Sequence, residues 1–231
     1  MYDINPKTLY NIRSKFWYRA TNGAWNRSGV NHPKNIGYLM EHIGRLKPDV
    51  YKDWERYFFN NIADPDKLLE LTYTFRTFVL EDKEIGERFD YTKLDIGAYY
   101  QMTACRLIYE TWLGYLAERE TGKIVVRLLD ESGCPVVAEG LSPENDNKYA
   151  VDFLLYHGGK LVCGLQVKSE NYLKSKQGIV SQTIDHNHQK NERFTSVYGV
   201  PVKYAFYRRV GEQHFLVNED VIVEIKSLCS L

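Results

Sequence analysis

The stretch YAVDFLLYHGGKLVCGLQVKSE, residues 149–170, sets two apolar runs on either side of a Gly-Gly pair, the pattern of a buried β-hairpin. Three of its residues do not suit a plain hairpin. Asp152 interrupts the first run, and Gln166 and Lys168 stand near the end of the second. Burying a carboxylate, an amide and an ammonium is costly unless they satisfy one another or a ligand. Strand alternation puts Gln166 and Lys168 on one face, roughly 7 Å apart. Folding at HGGK sets Asp152 opposite Leu165 or Gln166, and in a direct pair with Gln166 the Cβ atoms would be about 5 Å apart. A hard cation such as Mg2+ would explain all three residues at once, because it takes oxygen ligands at about 2.1 Å and keeps several waters. Asp152 offers a carboxylate, Gln166 its amide oxygen, and Val167 its main-chain oxygen as a further metal ligand. Lys168 beside the ion would orient a water, lower its pKa, or stabilise negative charge building on a phosphate. The plainer account is a strand cap or a structural Asp152–Lys168 ion pair.

The chain around this stretch has an ordinary globular balance, with 231 residues, 44% hydrophobic and 26% charged. Its formal charge is zero, but residues 1–60 carry a net +5, residues 61–150 a net −7, and the remainder a net +2. A polyanion could therefore be met at both ends of the chain while the middle is solvated or acidic; the plainer reading is an asymmetry of the kind common in proteins. Cys105, Cys134, Cys163 and Cys229 lie far apart with no C-x-x-C pair, so they read as reduced thiols of an intracellular protein. The first residues lack an apolar signal core, and no run approaches the ~20 apolar residues of a membrane span. A cytoplasmic protein without membrane association is expected.

The first half reads as helical. HPKNIGYLMEHIGRL, PDVYKDWERYFFNNI and DPDKLLELTYTFRTFVLED each place apolar residues on one face, the last with Asp64 as cap and Pro65 in the first turn. A fourth helix is expected from about Asp95 to a stop at Gly122. Beyond it KIVVRLL reads as β-like, LSPENDNK as a loop, and SQTIDHNHQKNERF as a polar helix after the hairpin. VPVKYAFYRR and QHFLVN read as strands and EDVIVEIKSL as a closing helix. The expected organisation is a helical N-terminal part, residues 1–90, for DNA recognition or dimerisation, followed by a catalytic core, residues 91–231, with a mixed sheet flanked by helices.

The spacing D152-x13-Q166-V167-K168, with a helix before the hairpin and another after it, resembles the PD-(D/E)XK nuclease core. The resemblance implies an α/β restriction-endonuclease-like fold, Mg2+ as cofactor, and a further glutamate from the preceding helix. Glu110 is the best match, with Glu118 second, and Glu110 shares a face with the small residues Gly114 and Ala117. Val151 stands where the family name has proline. Gln166 replaces an acid, as it does in some active restriction endonucleases. The overall layout resembles the MjaI-type restriction enzymes. It implies hydrolysis of double-stranded DNA to 5′-phosphate and 3′-hydroxyl ends by a type II restriction endonuclease. The rivals are a nonspecific or repair nuclease with the same core, and a metal-free DNA-binding protein.

DNA contacts are expected from TNGAWNRSGVNHPKN, an irregular segment offering Asn22, Arg27 and Lys34, and from the polar helix, offering Gln182, Asn187, Gln189 and Lys190. A structural loop around a buried Trp25 and a solvated helix are the plainer readings. His186 and His188 sit at i and i+2 on a helix, where they diverge, so joint zinc ligation is not expected. A symmetric site calls for a homodimer, and the aromatic residues between Val50 and Phe78 could furnish the contact or instead fill the junction between the helical part and the sheet.

Overall fold

The computed structural model of the chain describes residues 3–230 apart from 88, 143, 144, 146, 147, 175–178 and 212, and no side chain of residues 173–183. It divides into two compact units, one ending at Gly114 and the other beginning at Tyr115. Among the described residues no helix is long and apolar enough to cross a membrane.

The first unit is helical, with capping chemistry close to that expected. The Asp64 side chain accepts from the Lys67 N–H at 2.8 Å and opens the helix Pro65–Glu81, with Pro65 in its first turn. Asp95 caps the helix Ile96–Ala104 in the same way, by accepting from the Ala98 N–H at 2.8 Å. The helix expected through HPKNIGYLMEHIGRL is broken in two, Pro33–Ile36 and Leu39–Leu46. Gly37, at φ 69°, takes a conformation that no right-handed helix continues through. The segment expected to be irregular contains a helix, Asn22–Ser28, ended by Gly29 at φ 68°. Its Trp25 is buried and meets Phe75 edge-on at 5.0 Å. Trp54, Phe58 and Phe75 are likewise fully buried, so much of the aromatic surplus assigned to a dimer contact fills this core instead.

A π-helical segment, Cys105–Tyr109, follows the helix Ile96–Ala104 directly. The widened turn alters the usual i→i−4 ladder, and side chains take up carbonyls along it. Trp54 Nε1 donates to Ile108 O at 3.0 Å, and Thr111 Oγ1 to Leu107 O at 2.9 Å. Arg106, in this segment, is buried with its guanidinium 4.3 Å from the Tyr18 ring centroid.

The long helix continues as Glu110–Glu131 and passes through Gly122 rather than stopping there. KIVVRLL is therefore helical, not β-like. Val125 and Leu129, four apart, are both fully buried, while Arg127 and Glu131 pair outside at 3.8 Å, and this 3.6-residue period outweighs the β-branched composition. A Cβ on Gly122 would lie 2.9 Å from the Phe153 ring, so the glycine serves close helix–sheet approach and does not end the helix.

The second unit carries one five-stranded mixed sheet: β1 (Val137–Gly140), β2 (Phe153–His157), β3 (Lys160–Ser169), β4 (Val202–Val210) and β5 (Gln213–Leu216), in the order β1-β2-β3-β4-β5. The pair β3–β4 is parallel, and the helix Ile179–Tyr198 lies in the crossover between them, while the other pairs are antiparallel. One face of the sheet, with Leu155, Cys163, Leu165 and Val167, packs with Val125 and Leu129 of the long helix and Ile225 of the helix Asp220–Cys229. Gly164 turns to the other side, where Phe194 of the crossover helix packs with Tyr149 and Val151. This is the α/β restriction-endonuclease-like architecture expected.

Candidate active site

The hairpin sets the site by its register. Gly158 and Gly159, at φ 56° and 80°, make the tight turn, and a bulge at Leu155/Tyr156 shifts the pairing by one. Phe153 then pairs with Leu165, which leaves Asp152 one position beyond the ladder, level with Gln166. The Asp152 N–H donates to Leu165 O at 2.9 Å, and its Oδ2 accepts from the Val167 N–H at 2.6 Å. The carboxylate thus takes the place of the next ladder carbonyl. In a strand the N–H and C=O of one residue point to the same side, so the Val167 carbonyl is turned towards Asp152 too. Gln166 is buried and Lys168 half-buried, both on the opposite face from Val167.

Burial pushes the Asp152 carboxyl above the ordinary aspartate range, while the Lys168 ammonium and the Val167 N–H pull it back. Lys168 is therefore near enough to favour the charged acid, though not enough to offset desolvation. The site holds an anion at a cost, which a bound cation would relieve.

One residue of this cluster was not legible in the sequence. Asn191, on the crossover helix, is buried against Gln166. Its amide is best satisfied with Nδ2 donating to Tyr149 O at 2.9 Å and Ala150 O at 3.1 Å, and Oδ1 accepting from the Tyr204 hydroxyl. That orientation puts Asn191 Oδ1 3.2 Å from the Gln166 amide, which must then present its Nε2 and turn Oε1 away from Asn191. Ala150, at φ 52°, is the left-handed kink that leads the chain into Asp152, so Asn191 holds both the entry to the acid and the orientation of the amide. Burial raises the Tyr204 hydroxyl to about 12, which keeps it a donor. Nothing in the helical periodicity separates Asn191 from the other polar residues around it. The donor set near Asp152 is a carboxylate, an amide oxygen and a main-chain oxygen, all hard ligands of the kind Mg2+ takes.

The other expected residues are distributed as follows. Glu110 belongs to the first unit, where its Oε1 accepts from Arg13 Nε at 3.3 Å. Gly114 has Met40 Sδ 3.8 Å from where its Cβ would be, and the close approach of the long helix to the sheet is at Gly122. Glu118 is half-buried one turn before Gly122 in the second unit. Asn22 Oδ1 accepts from Arg106 at 2.8 Å, and Arg27 forms an ion pair with Asp82. Lys34 is exposed at the start of its short helix. On the crossover helix, Asn187 donates to the Tyr172 hydroxyl at 3.2 Å, Gln189 is exposed and Lys190 is half-buried. The Gln182 side chain lies outside the described residues.

A family model described as MjaI restriction endonuclease matches residues 19–207, a span that takes in the hairpin, Asn191 and most of the helical unit. No curated protein and no solved structure matched the chain.

Proposed function

The chain belongs to the MjaI restriction endonuclease family, a family of DNA-hydrolysing enzymes, and from that premise we propose that it is a Mg2+-dependent type II restriction endonuclease of the PD-(D/E)XK kind whose site is the Asp152 end of the hairpin. The observation that carries this reading is the Asp152 carboxylate held on the Val167 N–H, with Lys168 acting on it electrostatically and Gln166 beside it.

In this reading Asp152, the Gln166 amide oxygen and the Val167 carbonyl would hold the ion, with Glu118 of the long helix, in the same unit, adding a carboxylate. The ion supplies Lewis acidity and a water of lowered pKa. The chain's own residues do the rest. Lys168 orients the attacking water and stabilises the charge that builds on the scissile phosphate. Asn191 keeps the Gln166 oxygen turned out of its own hydrogen-bond network. The β3 ladder fixes Gln166, Val167 and Lys168 as one rigid row. Cleavage of each strand would leave a 5′-phosphate and a 3′-hydroxyl, and two antiparallel strands of a symmetric site call for two copies of the chain. Arg27, Lys34, Asn22 and the polar residues of the crossover helix remain the proposed DNA contacts.

Incubation of plasmid DNA with the protein, with and without Mg2+, tests the reading. Discrete fragments that need Mg2+ are the expected result. A smear would favour a nonspecific nuclease, and intact plasmid with a gel shift a DNA-binding protein without catalysis.

A further inference from the structure

Three side chains with no place in the active site converge elsewhere in the sheet unit. Cys134, His157 and Cys229 each present one ligand atom, and these atoms lie within 4.8 Å of one another. They come from three elements with independent reasons to be where they are. Cys134 follows the end of the long helix, where Gly133 at φ 81° closes the last turn and the Cys134 N–H donates to Leu129 O at 2.9 Å. His157 ends β2 at the tight turn. Cys229 ends the helix Asp220–Cys229, and Lys226 of that helix donates to Ser132 O at 2.5 Å, which ties the two helix ends together.

From this convergence we propose that Cys134, His157 and Cys229 bind a borderline-soft divalent ion of the Zn2+ class as a structural centre. Two thiolates and an imidazole are the ligands such an ion selects, and they would refuse Mg2+. Tetrahedral coordination with metal–sulfur bonds of about 2.3 Å and metal–nitrogen bonds of about 2.0 Å needs donor atoms about 3.5 to 3.8 Å apart. The three donor atoms lie within 4.8 Å of one another, so movements of about an ångström close the site. The ring is also held from behind, with Nδ1 2.8 Å from Pro135 O. A backbone carbonyl on one ring nitrogen is the arrangement that fixes tautomer and orientation so that the other ligates. Cys134 is buried, and Cys229 and His157 are half-buried, so water completes the fourth position. Binding exchanges protons for metal: Zn2+ and two thiols give a neutral dithiolate site and release two protons. His157 is five residues from Asp152 along the hairpin, roughly 16 Å at about 3.3 Å per residue. The centre is therefore separate from the active site, and the proposal does not depend on the nuclease reading.

Protein purified under reducing conditions without chelator should retain one zinc per chain by elemental analysis. Replacement by Co2+ should give the strong visible bands of tetrahedral cobalt and a thiolate charge-transfer band in the near ultraviolet. Cys229→Ser and His157→Gln should each lose both signals, and Cys134→Ser is a third test if it folds. Alkylation of Cys134 and Cys229 should be slow with zinc bound and fast after chelation. Zinc content unchanged in the variants, cobalt bound only in the weakly coloured octahedral form, or metal-free protein with Cys134 and Cys229 joined as a disulfide would each overturn the proposal.

Discussion

The Val167 N–H donates to the Asp152 carboxylate at 2.6 Å, so the acid of the hairpin is held by the same strand that carries Gln166 and Lys168. Asp152→Asn keeps the shape and an acceptor for that N–H but removes the charge. Losing a transition-state interaction of about 3 to 4 kcal/mol costs a factor of about 100 to 1000 in rate. Cleavage by Asp152→Asn and by Lys168→Ala should fall by that order while DNA binding in a gel-shift assay stays within a few-fold. Near-normal cutting by either variant would remove the metal-site reading.

Because burial raises the Asp152 carboxyl above the ordinary range, its proton is bound more tightly in the folded chain than in the unfolded one. Stability from this group therefore declines as pH rises from about 4 through the folded pKa, and stays reduced above it. Asp152→Asn removes the penalty. In metal-free buffer the variant should melt above the wild type at pH 8, and the gap should close as the pH is lowered towards 4. A pH-independent gap would mean that the carboxyl titrates as an ordinary one. Adding Mg2+ at pH 8 should raise the melting temperature of the wild type and not of the variant.

Asn191→Leu leaves the carbonyls of Tyr149 and Ala150 and the Gln166 amide without their partner, each loss costing about 1 to 3 kcal/mol. The melting temperature should fall by several degrees. If Asn191 also positions the Gln166 oxygen, the Mg2+ concentration for half-maximal cleavage should rise more than the maximal rate falls. A purely structural residue would lower stability and leave the Mg2+ titration unmoved.

Gly122→Ala would put a Cβ 2.9 Å from the Phe153 ring. Overpacking of this kind costs about 1 to 3 kcal/mol, against the gain of about 1 kcal/mol that alanine otherwise brings to a helix. The variant should be less stable in urea, and Phe153→Leu in the same chain should restore part of the loss. A stabilised single variant would show that the ring yields.

Light scattering coupled to size exclusion should give a mass near 54 kDa, twice the 27.0 kDa of the chain. A strict monomer, free and on DNA, would leave a nicking or nonspecific nuclease as the better account.

What the sequence showed best was local chemistry. The Gly158-Gly159 turn, the Asp64 cap and the alternation through β3 are written in adjacent residues, and from them Asp152 falls opposite Leu165 or Gln166; the bulge at Leu155/Tyr156 decides for Gln166. What it hid was set by packing across the chain. Gly122 reads as a helix stop until Phe153 is seen lying on it, and KIVVRLL reads as a strand until Val125 and Leu129 are seen facing the sheet. Asn191 is one polar residue among many on its helix, and only the kink at Ala150 shows what it is for. The cysteines looked dispersed because three elements, not a spacing, bring Cys134 and Cys229 to His157.

The one parallel join among the described strands, β3 to β4 across the helix Ile179–Tyr198, gives the enzyme an order of assembly. Asp152 and Lys168 sit on one hairpin, and hairpins close in about 1–10 μs. Asn191 reaches Gln166 only when the crossover helix has docked, and parallel pairing across such a connection is the slower event. During synthesis at about 5–20 residues per second the chain from Glu170 to Tyr207 takes a further 2 to 8 s or so to appear. On the proposed reading of the site, the nascent protein for that interval carries its acid and its lysine without the Asn191 contact to the Gln166 amide, so the nuclease is expected to remain unarmed until its second sheet half is made.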